Sequence, residues 1–187
     1  MRVIFLDIDG VLNSETFCRT LEDQHRQLGH TEPACPKRET TCSCFLIENQ
    51  IDRAAVSRLN RLVSETESQI VISSSWRKLF AVSDLHQILI RHGLAAEIIG
   101  ATPDGHREPG MRDIFGPIAR IFRGHEIDFW LRQHPEVKHF VILDDDSDME
   151  MHKNRLIQTD PAHGLLDVDV DLAISMIAYD PSSDAST

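Results

Sequence analysis

The stretch that decides the fold is residues 3–13, Val3-Ile4-Phe5-Leu6-Asp7-Ile8-Asp9-Gly10-Val11-Leu12-Asn13. From residue 3 to residue 8 it is apolar except for one aspartate, a pattern typical of a central parallel strand buried on both faces. Two carboxylates, those of Asp7 and Asp9, stand where this strand ends. Ligands of parallel α/β sheets bind beyond the carboxyl ends of the strands. The segment therefore predicts a central strand and a functional site at its end.

Further apolar runs and helical patterns predict the rest of the sheet and its covering layers. The predicted strands are Gln69–Ser73, Glu97–Gly100, Val137–Leu143 and Arg155–Thr159. One predicted helix begins after an N-cap at Asn49, and a second runs from the N-cap Ser83 to the C-cap Gly93. Two more predicted helices span Glu126–Gln133 and Val168–Ala178. Strands that alternate with helices indicate an α/β fold, here a Rossmannoid three-layer sandwich with a mostly parallel central sheet.

Composition along the chain predicts how this fold is organised. Residues 1–179 are expected to form one domain, and residues 180–187, which are small and polar, a disordered tail. Residues 14–47 are polar, contain Pro and Gly and show no clear period, so we expect an inserted cap or flap. Because this insertion follows directly on the first motif, it should lie over the site and shape substrate access. Residues 102–116 are rich in Gly, Pro and charge and are predicted to be loop.

The charge balance limits the classes of ligand. The 187 residues carry 19 Lys and Arg against 30 Asp and Glu, a formal net charge of −11. This balance argues against an extended basic groove for nucleic acid, although a few local cations suffice for one phosphate group. No apolar run approaches the roughly 20 residues of a membrane span, and the N-terminus does not resemble a signal peptide. Four cysteines confined to residues 18–44 favour a reduced, cytoplasmic setting over a disulfide framework.

Two other predicted strands also end in polar residues. Residues 73–77 read Ser-Ser-Ser-Trp-Arg, and residues 144–148 read Asp-Asp-Asp-Ser-Asp. Each motif by itself is typical of a turn, a helix cap or a solvated loop. Their joint order along the chain is not what turns alone produce. If the strand ends meet, at least four carboxylates converge, and like charges this close need a hard divalent cation, most naturally Mg²⁺.

The motifs resemble those of the haloacid dehalogenase (HAD) superfamily of phosphotransferases, in which an Asp-x-Asp-Gly-Val strand end precedes a strand–Ser and a strand–Asp-Asp motif. They are most similar to a small branch, the HAD domains associated with RNA-repair ("Swiss Army Knife") proteins. The segments that carry this closer resemblance are Phe5–Asn13, Ile72–Arg77, Arg123 with Glu126-Ile127 and Trp130-Leu131, Val141–Asp146, and Gly164-Leu165.

This resemblance implies roles for the acidic residues. Asp7 would be the nucleophile and Asp9 the general acid and base. Mg²⁺ would be bound by Asp7, the backbone carbonyl of Asp9 and Asp145. Asp144 and Asp148 would be secondary ligands or would orient the ligands. Asp146 is expected to be solvated.

The resemblance also implies a phosphate-binding set and an activity. Ser74, with Ser73 as the alternative, would donate to a phosphoryl oxygen, and Arg123, with Arg77 as the alternative, would supply the cation. The implied activity is Mg²⁺-dependent phosphomonoester hydrolysis through an aspartyl-phosphate. A phosphorylated small molecule or a nucleic-acid end would be the partner, and the pattern gives no indication of the oligomeric state. The alternative is a regulatory or interaction domain that keeps the fold without the activity.

Other phosphate and metal sites fit the sequence less well. Neither a G-x-x-x-x-G-K-[ST] loop nor a G-x-G-x-x-G turn is present. A response-regulator receiver carries its acidic pair and its acceptor Asp on different strands, which is the wrong order. Zinc binding would use His25, His30, Cys35, Cys42 and Cys44. The C-x6-C-x-C spacing lacks the paired knuckles of structural zinc sites, so a reduced flap is favoured.

Overall fold

A computed structural model describes residues 1–27, 50–105, 107–116 and 121–178. Its strands are β1 (Arg2–Leu6), β2 (Gln69–Ile72), β3 (Ile98–Ala101), β4 (His139–Asp144) and β5 (Leu156–Gln158). They form one sheet in the order β3-β2-β1-β4-β5, and every neighbouring pair is parallel. The strand that the first motif predicts is therefore the centre of the sheet.

Helices cover both faces of the sheet, which confirms the predicted α/β fold class. They are α1 (Glu15–Gln27), α2 (Arg53–Thr66), α3 (Val82–Arg91), α4 (Pro109–Phe115), α5 (Arg123–Gln133) and α6 (Asp167–Ala178), with short 3₁₀ turns at Ser75–Lys78 and Glu150–Arg155. Within the described ranges, no helix is long and apolar enough to cross a membrane.

Alternate side chains of β1 enter two separate cores. Ile4 and Leu6 are fully buried in a cluster with residues of α2, α3 and α6. Val3 and Phe5 are buried on the opposite face with residues of α5, and the Phe5 ring meets Trp130 edge to face at 5.4 Å. Because side chains of a strand alternate between the faces of a sheet, an apolar run buried on both sides gives three layers.

The register of the sheet brings three strand ends to one level. Leu6 pairs with Ile72 of β2 and with Leu143 of β4. Beyond these pairs, the Asp7 amide donates to the Leu143 carbonyl at 2.9 Å, and the Ser73 amide donates to the Leu6 carbonyl at 2.8 Å. Three residues therefore meet at the carboxyl edge of the sheet: Asp7 after β1, Ser73 after β2 and Asp144 at the end of β4.

Two segments contain helices that the sequence patterns do not predict. Residues 15–27, within the proposed insertion 14–47, form α1, whose side chains are mostly exposed and whose apolar residues are few. Residues 109–115, within the predicted loop 102–116, form α4. The proline at position 109 stands in the first turn of α4, where its missing N–H costs nothing.

Two helix starts also differ from the prediction. The N-cap of α2 is Asp52, whose carboxylate accepts from the Ala54 amide at 2.8 Å; Asn49 lies outside the described residues. The N-cap position of α3 is Ala81 rather than Ser83, and it makes no side-chain cap bond. The boundary at residue 179 and the predicted tail 180–187 also lie outside the described residues.

Candidate active site

Asp7 is the first residue after β1, and its side chain is buried at the edge of the sheet. Only 6% of its surface is exposed, and its Oδ1 accepts from the Ile8 amide at 2.6 Å. Burial raises the pKa of Asp7, and the charge of Arg123 and a hydrogen bond from the Ser74 hydroxyl oppose this rise. A buried carboxylate with a cation beside it is suited to nucleophilic attack.

The turn after Asp7 is built around Gly10. Its φ of +67° lies in the left-handed region, and a Cβ there would overlap the carboxyl group of Asp145. The Gly10 amide donates to Oδ1 of Asn13 at 3.1 Å, and the Thr159 hydroxyl donates to the Gly10 carbonyl at 2.9 Å. These contacts fold the motif loop back over the strand ends, so that its carboxylates face the same edge.

Asp9 is exposed on this loop, yet its carboxylate is held by several donors. The indole Nε1 of Trp76 and the amide Nδ2 of Asn13 both donate to Oδ1, each at 2.9 Å. The Ser75 hydroxyl donates to Oδ2 at 3.4 Å. The side chain therefore stands in a fixed orientation beside the buried Asp7.

Asp144 brings a fully buried carboxylate to the same place. Its Oδ1 accepts from the Asp146 amide at 2.9 Å, whereas its Oδ2 has no hydrogen-bond partner among the described residues. Burial, followed by the negative charge of Asp7, raises the pKa of Asp144 to about 8. A buried oxygen without a donor, next to another carboxylate, indicates a place for a cation.

Asp145 completes a cluster of three carboxylates. Each of Asp7, Asp144 and Asp145 contributes one carboxylate oxygen, and these three oxygens lie within 4.8 Å of one another. Burial raises the pKa of Asp145, although its side chain is only partly buried. Asp146 is exposed to solvent, and Asp148 accepts from the Arg123 amide at 3.3 Å.

Arg123, the first residue of α5, places a guanidinium between two of these carboxylates. Its Nη2 lies 3.5 Å from Oδ2 of Asp7, and its Nε lies 3.7 Å from Oδ2 of Asp144. The side chain is mostly buried, which strengthens these interactions relative to those of a surface pair. The predicted cation is therefore next to the predicted nucleophile.

Ser73 and Ser74, the two serines after β2, are both fully buried. The Ser74 hydroxyl caps the following 3₁₀ turn by accepting from the Trp76 amide at 3.4 Å, and its interaction with the Asp7 carboxyl opposes the rise in the pKa of Asp7. The Ser73 hydroxyl has no partner within the described part of the chain. Contact with Asp7 favours Ser74 over Ser73 as the hydroxyl of the site.

Comparison with known protein families identifies the family of this chain. A family model described as the HAD domain in Swiss Army Knife RNA repair proteins matches residues 3–170. The chain belongs to this family. The match contains β2 to β5, all of β1 except Arg2, and the acidic cluster, and it confirms the predicted superfamily and branch. Comparisons with curated proteins and with solved structures give no match.

Arg77 of this HAD domain lies in a different environment from Arg123. Its Nη2 and Oε2 of Glu126 form an ion pair at 2.5 Å, and the two side chains are 6% and 9% exposed. Its Nη1 also donates to the Ser74 carbonyl at 2.5 Å. Glu126 further accepts from the Gly105 amide at 2.9 Å. The pair joins the loop after β2 to α5, and it could not be predicted from the sequence, where Glu126 is a lone acidic residue on a predicted helix.

A small cavity opens beside the acidic cluster of the HAD domain. It has a volume of about 130 Å³. The residues that line it are Ser75, Arg77, Lys78, Ile121, Arg123, Glu126 and Asp148. Lys78 is partly exposed there and lies 3.6 Å from Asp104. The cavity is polar, and its lining includes Ser75, which bonds to Asp9, and Arg123, which lies beside Asp7.

The donor set of the cluster fits a hard divalent cation. All three side chains offer carboxylate oxygens, the ligands that Mg²⁺ prefers, and Asp144 Oδ2 lacks a hydrogen-bond donor within the described ranges. Of the residues considered for zinc, His30, Cys35, Cys42, Cys44 and the side chain of His25 lie outside the part of the chain that the structure describes.

Proposed function

We propose that this HAD domain is a Mg²⁺-dependent phosphomonoesterase that works through an aspartyl-phosphate on Asp7. The observation that carries the proposal is the convergence of Asp7, Asp144 and Asp145 within 4.8 Å, with the Arg123 guanidinium 3.5 Å from Asp7. Membership of the HAD family supports a hydrolase. Intact carboxylates at both Asp7 and Asp9 favour this activity over a regulatory domain that only keeps the fold.

The metal would be held by Asp7, Asp145 and the backbone carbonyl of Asp9, with Asp144 as a further or orienting ligand. When bound, Mg²⁺ would neutralise charge between the substrate phosphate and the attacking carboxylate. The pKa of Asp144, raised to about 8, is consistent with a carboxylate arranged for a cation rather than for solvent.

The proposed reaction has two steps, which divide a difficult hydrolysis. In the first, an oxygen of Asp7 attacks phosphorus, the ester P–O bond breaks, and Asp9 donates a proton to the leaving alcohol oxygen. In the second, Asp9 removes a proton from water as the water oxygen attacks the phosphorus of the aspartyl-phosphate. Asp7 is then released as a carboxylate and inorganic phosphate leaves.

The phosphoryl oxygens would be bound by Arg123 and Ser74. Arg123 is paired with Asp7 at 3.5 Å, and the interaction with the Ser74 hydroxyl opposes the rise in the pKa of Asp7. Arg77 is less suited to this role because its guanidinium is already bonded to Glu126 and to the Ser74 carbonyl. We therefore assign Arg123 to the phosphate and Arg77 to support of the loop.

Phosphate ends of nucleic acids or nucleotides are the proposed substrates. The family is described by its occurrence in RNA repair proteins. A net charge of −11 disfavours an extended nucleic-acid groove, whereas a terminal phosphate needs only the local cation of Arg123. Of the predicted cap 14–47, residues 28–47 lie outside the described residues; α1, which begins two residues after Asn13 of the motif loop, is the part that the structure describes.

The test is release of phosphate from p-nitrophenyl phosphate with Mg²⁺ and with EDTA, followed by 3′- and 5′-phosphorylated oligonucleotides, nucleotides and sugar phosphates. Asp7→Asn should abolish Mg²⁺-dependent release. Asp146→Asn, which changes an exposed neighbour of the cluster, should leave it unchanged. Undiminished turnover by Asp7→Asn would overturn the mechanism, and no release from any substrate would favour the non-catalytic alternative.

A further inference from the structure

The indole of Trp76 connects the hydrophobic core to an exposed carboxylate. Its ring is 1% exposed and packs 5.9 Å from the Phe80 ring, while its Nε1 donates to Oδ1 of Asp9 at 2.9 Å. A buried indole N–H requires an acceptor, and backbone carbonyls or core hydroxyls usually supply it. Here the acceptor is the side chain of the proposed general acid and base, 67 residues away in sequence.

The two oxygens of Asp9 have different surroundings. Oδ1 accepts two N–H bonds of 2.9 Å, from Trp76 and Asn13. Oδ2 has, among the described residues, only the long 3.4 Å contact with the Ser75 hydroxyl. Two donors on one oxygen fix the plane of the carboxylate and leave the other oxygen available. Oδ2 is therefore the oxygen suited to exchange a proton with substrate.

Both donors are themselves held rigidly. The Trp76 amide donates to the Ser74 hydroxyl, and the Trp76 carbonyl accepts from the Leu79 and Phe80 amides at 2.9 and 3.0 Å. The Asn13 amide oxygen accepts from the Gly10 amide at 3.1 Å. Asp9 is thus held between the loop after β1 and the turn after β2. Positioning of this kind matters because a misplacement of about 1 Å costs as much as 10²-fold in rate.

We propose that Trp76 is a positioning residue for the Asp9 carboxylate, holding Oδ1 so that Oδ2 points at the leaving oxygen. This inference rests on the proposed phosphatase function. In the step concerned, the O–H bond at Oδ2 breaks and the proton bonds to the leaving oxygen as the ester P–O bond breaks. Asp9 remains as the carboxylate, still bonded to the indole N–H.

A purely structural role for Trp76 makes a different prediction. Loss of core packing would slow every substrate alike, because all substrates share the nucleophile and the phosphate site. Loss of positioning would act on proton transfer alone. Proton donation is essential for an alkoxide leaving group and nearly dispensable for an activated phenolate, so the two roles separate by leaving group.

The experiment compares kcat/KM for glycerol 2-phosphate and 2,4-dinitrophenyl phosphate in wild type and Trp76→Phe, each with Mg²⁺. General acid catalysis contributes about 10²–10⁴-fold, so we expect Trp76→Phe to lose about 30-fold or more on the alkyl ester and less than about 3-fold on the aryl ester. Asp9→Asn should show the same selectivity with a larger loss. Equal losses on the two esters for Trp76→Phe would overturn the inference.

Trp130→Phe is the matched control, because it removes the other tryptophan of the chain from the core on the opposite face. It should change both esters equally and little. Should Trp76→Phe fail to fold, the benzothienyl analogue of tryptophan at position 76 keeps the shape of the ring and removes only the N–H; it should give the same selective loss. Wild type without Mg²⁺-dependent turnover of these esters or of any substrate named above would overturn the proposed function and this inference together, whereas active wild type with unselective variants would overturn the inference alone.

Discussion

Nη2 of Arg123 lies 3.5 Å from Oδ2 of Asp7, so the first residue of α5 reaches the residue that follows β1. The same guanidinium lies 3.7 Å from Asp144. A mostly buried cation between two carboxylates offsets part of their repulsion. In the proposed reaction it would also bind oxygens of the phosphoryl group that Asp7 attacks, which connects the stability of the site with its proposed chemistry.

Arg123→Ala should lower kcat/KM for aryl phosphate by about 10²–10³-fold, as expected for loss of one group that stabilises developing charge. Arg123→Lys should recover part of this, because it keeps the charge but not the planar fork. Steady-state kinetics with Mg²⁺ measure both. Arg132→Ala is the control, since Arg132 lies on the same helix in an exposed pair with Asp128. Full activity in Arg123→Ala would remove this residue from the site.

Asp145 and Asp146 are neighbours in sequence with different expected effects on metal affinity. Asp145 belongs to the carboxylate cluster, whereas Asp146 is exposed. Asp145→Asn should weaken Mg²⁺ binding by about 10-fold or more, because it removes a proposed carboxylate ligand. Asp146→Asn should weaken it by less than about 2-fold, because Asp146 is not one of the proposed ligands. Isothermal titration with Mg²⁺ and Mn²⁺ measures both. Equal affinities in the two variants would contradict the assigned cluster.

The Arg77–Glu126 pair should matter mainly for stability. Glu126→Ala leaves a buried guanidinium without its carboxylate and the Gly105 amide without its acceptor. Such a change should lower the free energy of unfolding by about 3–5 kcal/mol, measured by urea denaturation. The exposed pair of Arg19 with Glu15 is the control, and Arg19→Ala should change it by no more than about 1 kcal/mol.

The double variant Arg77→Met with Glu126→Leu tests whether the loss of stability in Glu126→Ala comes from an uncompensated buried charge or from lost packing. Replacing both charges with apolar groups of similar volume is often close to neutral, so much of the loss in Glu126→Ala should be recovered. If the double variant is as unstable as Glu126→Ala, the packing of the pair rather than its uncompensated charge sets the cost.

The features that could be predicted from the sequence are those that leave a local pattern. A strand buried on both faces is a continuous apolar run, and residues that follow such strands must meet at one edge, so β1, Asp7, Asp144 and Asp145 were within reach of prediction. The helix α1 was not, because most of its side chains are exposed and its apolar positions are few. For α4, turn-forming residues concealed a short helix that begins at a proline.

Contacts that depend on the register of the strands could not be predicted from the sequence. The partners in the Trp76–Asp9 bond and in the Arg77–Glu126 pair are 67 and 49 residues apart, and they meet only because β1 and β2 pair in one register and α5 packs beside them. A general signal did exist for the first of these. A tryptophan placed directly after a buried strand must bring its N–H to an acceptor, and the nearest strand end carries a carboxylate.

The buried carboxylate of Asp144 predicts a stability that depends on pH in metal-free protein. Its pKa is raised from 3.8 to about 8 by burial and by Asp7, so between these values the folded state holds a proton that the unfolded state has released. The unfolding free energy must then fall as pH rises from about 4 to 8, by at most about 1.4 kcal/mol per pH unit for one proton.

Asp144→Asn removes this contribution, because a neutral amide keeps an acceptor oxygen for the Asp146 amide without a charge to lose or gain. In EDTA, urea denaturation of Asp144→Asn should therefore vary less between pH 5 and pH 8 than that of wild type, and the variant should be the more stable at pH 8. Asp146→Asn should follow wild type, since its side chain is exposed. Parallel pH profiles for wild type and Asp144→Asn would show that Asp144 ionises in the folded state as readily as in water, and the argument for a cation beside its Oδ2 would fail with it.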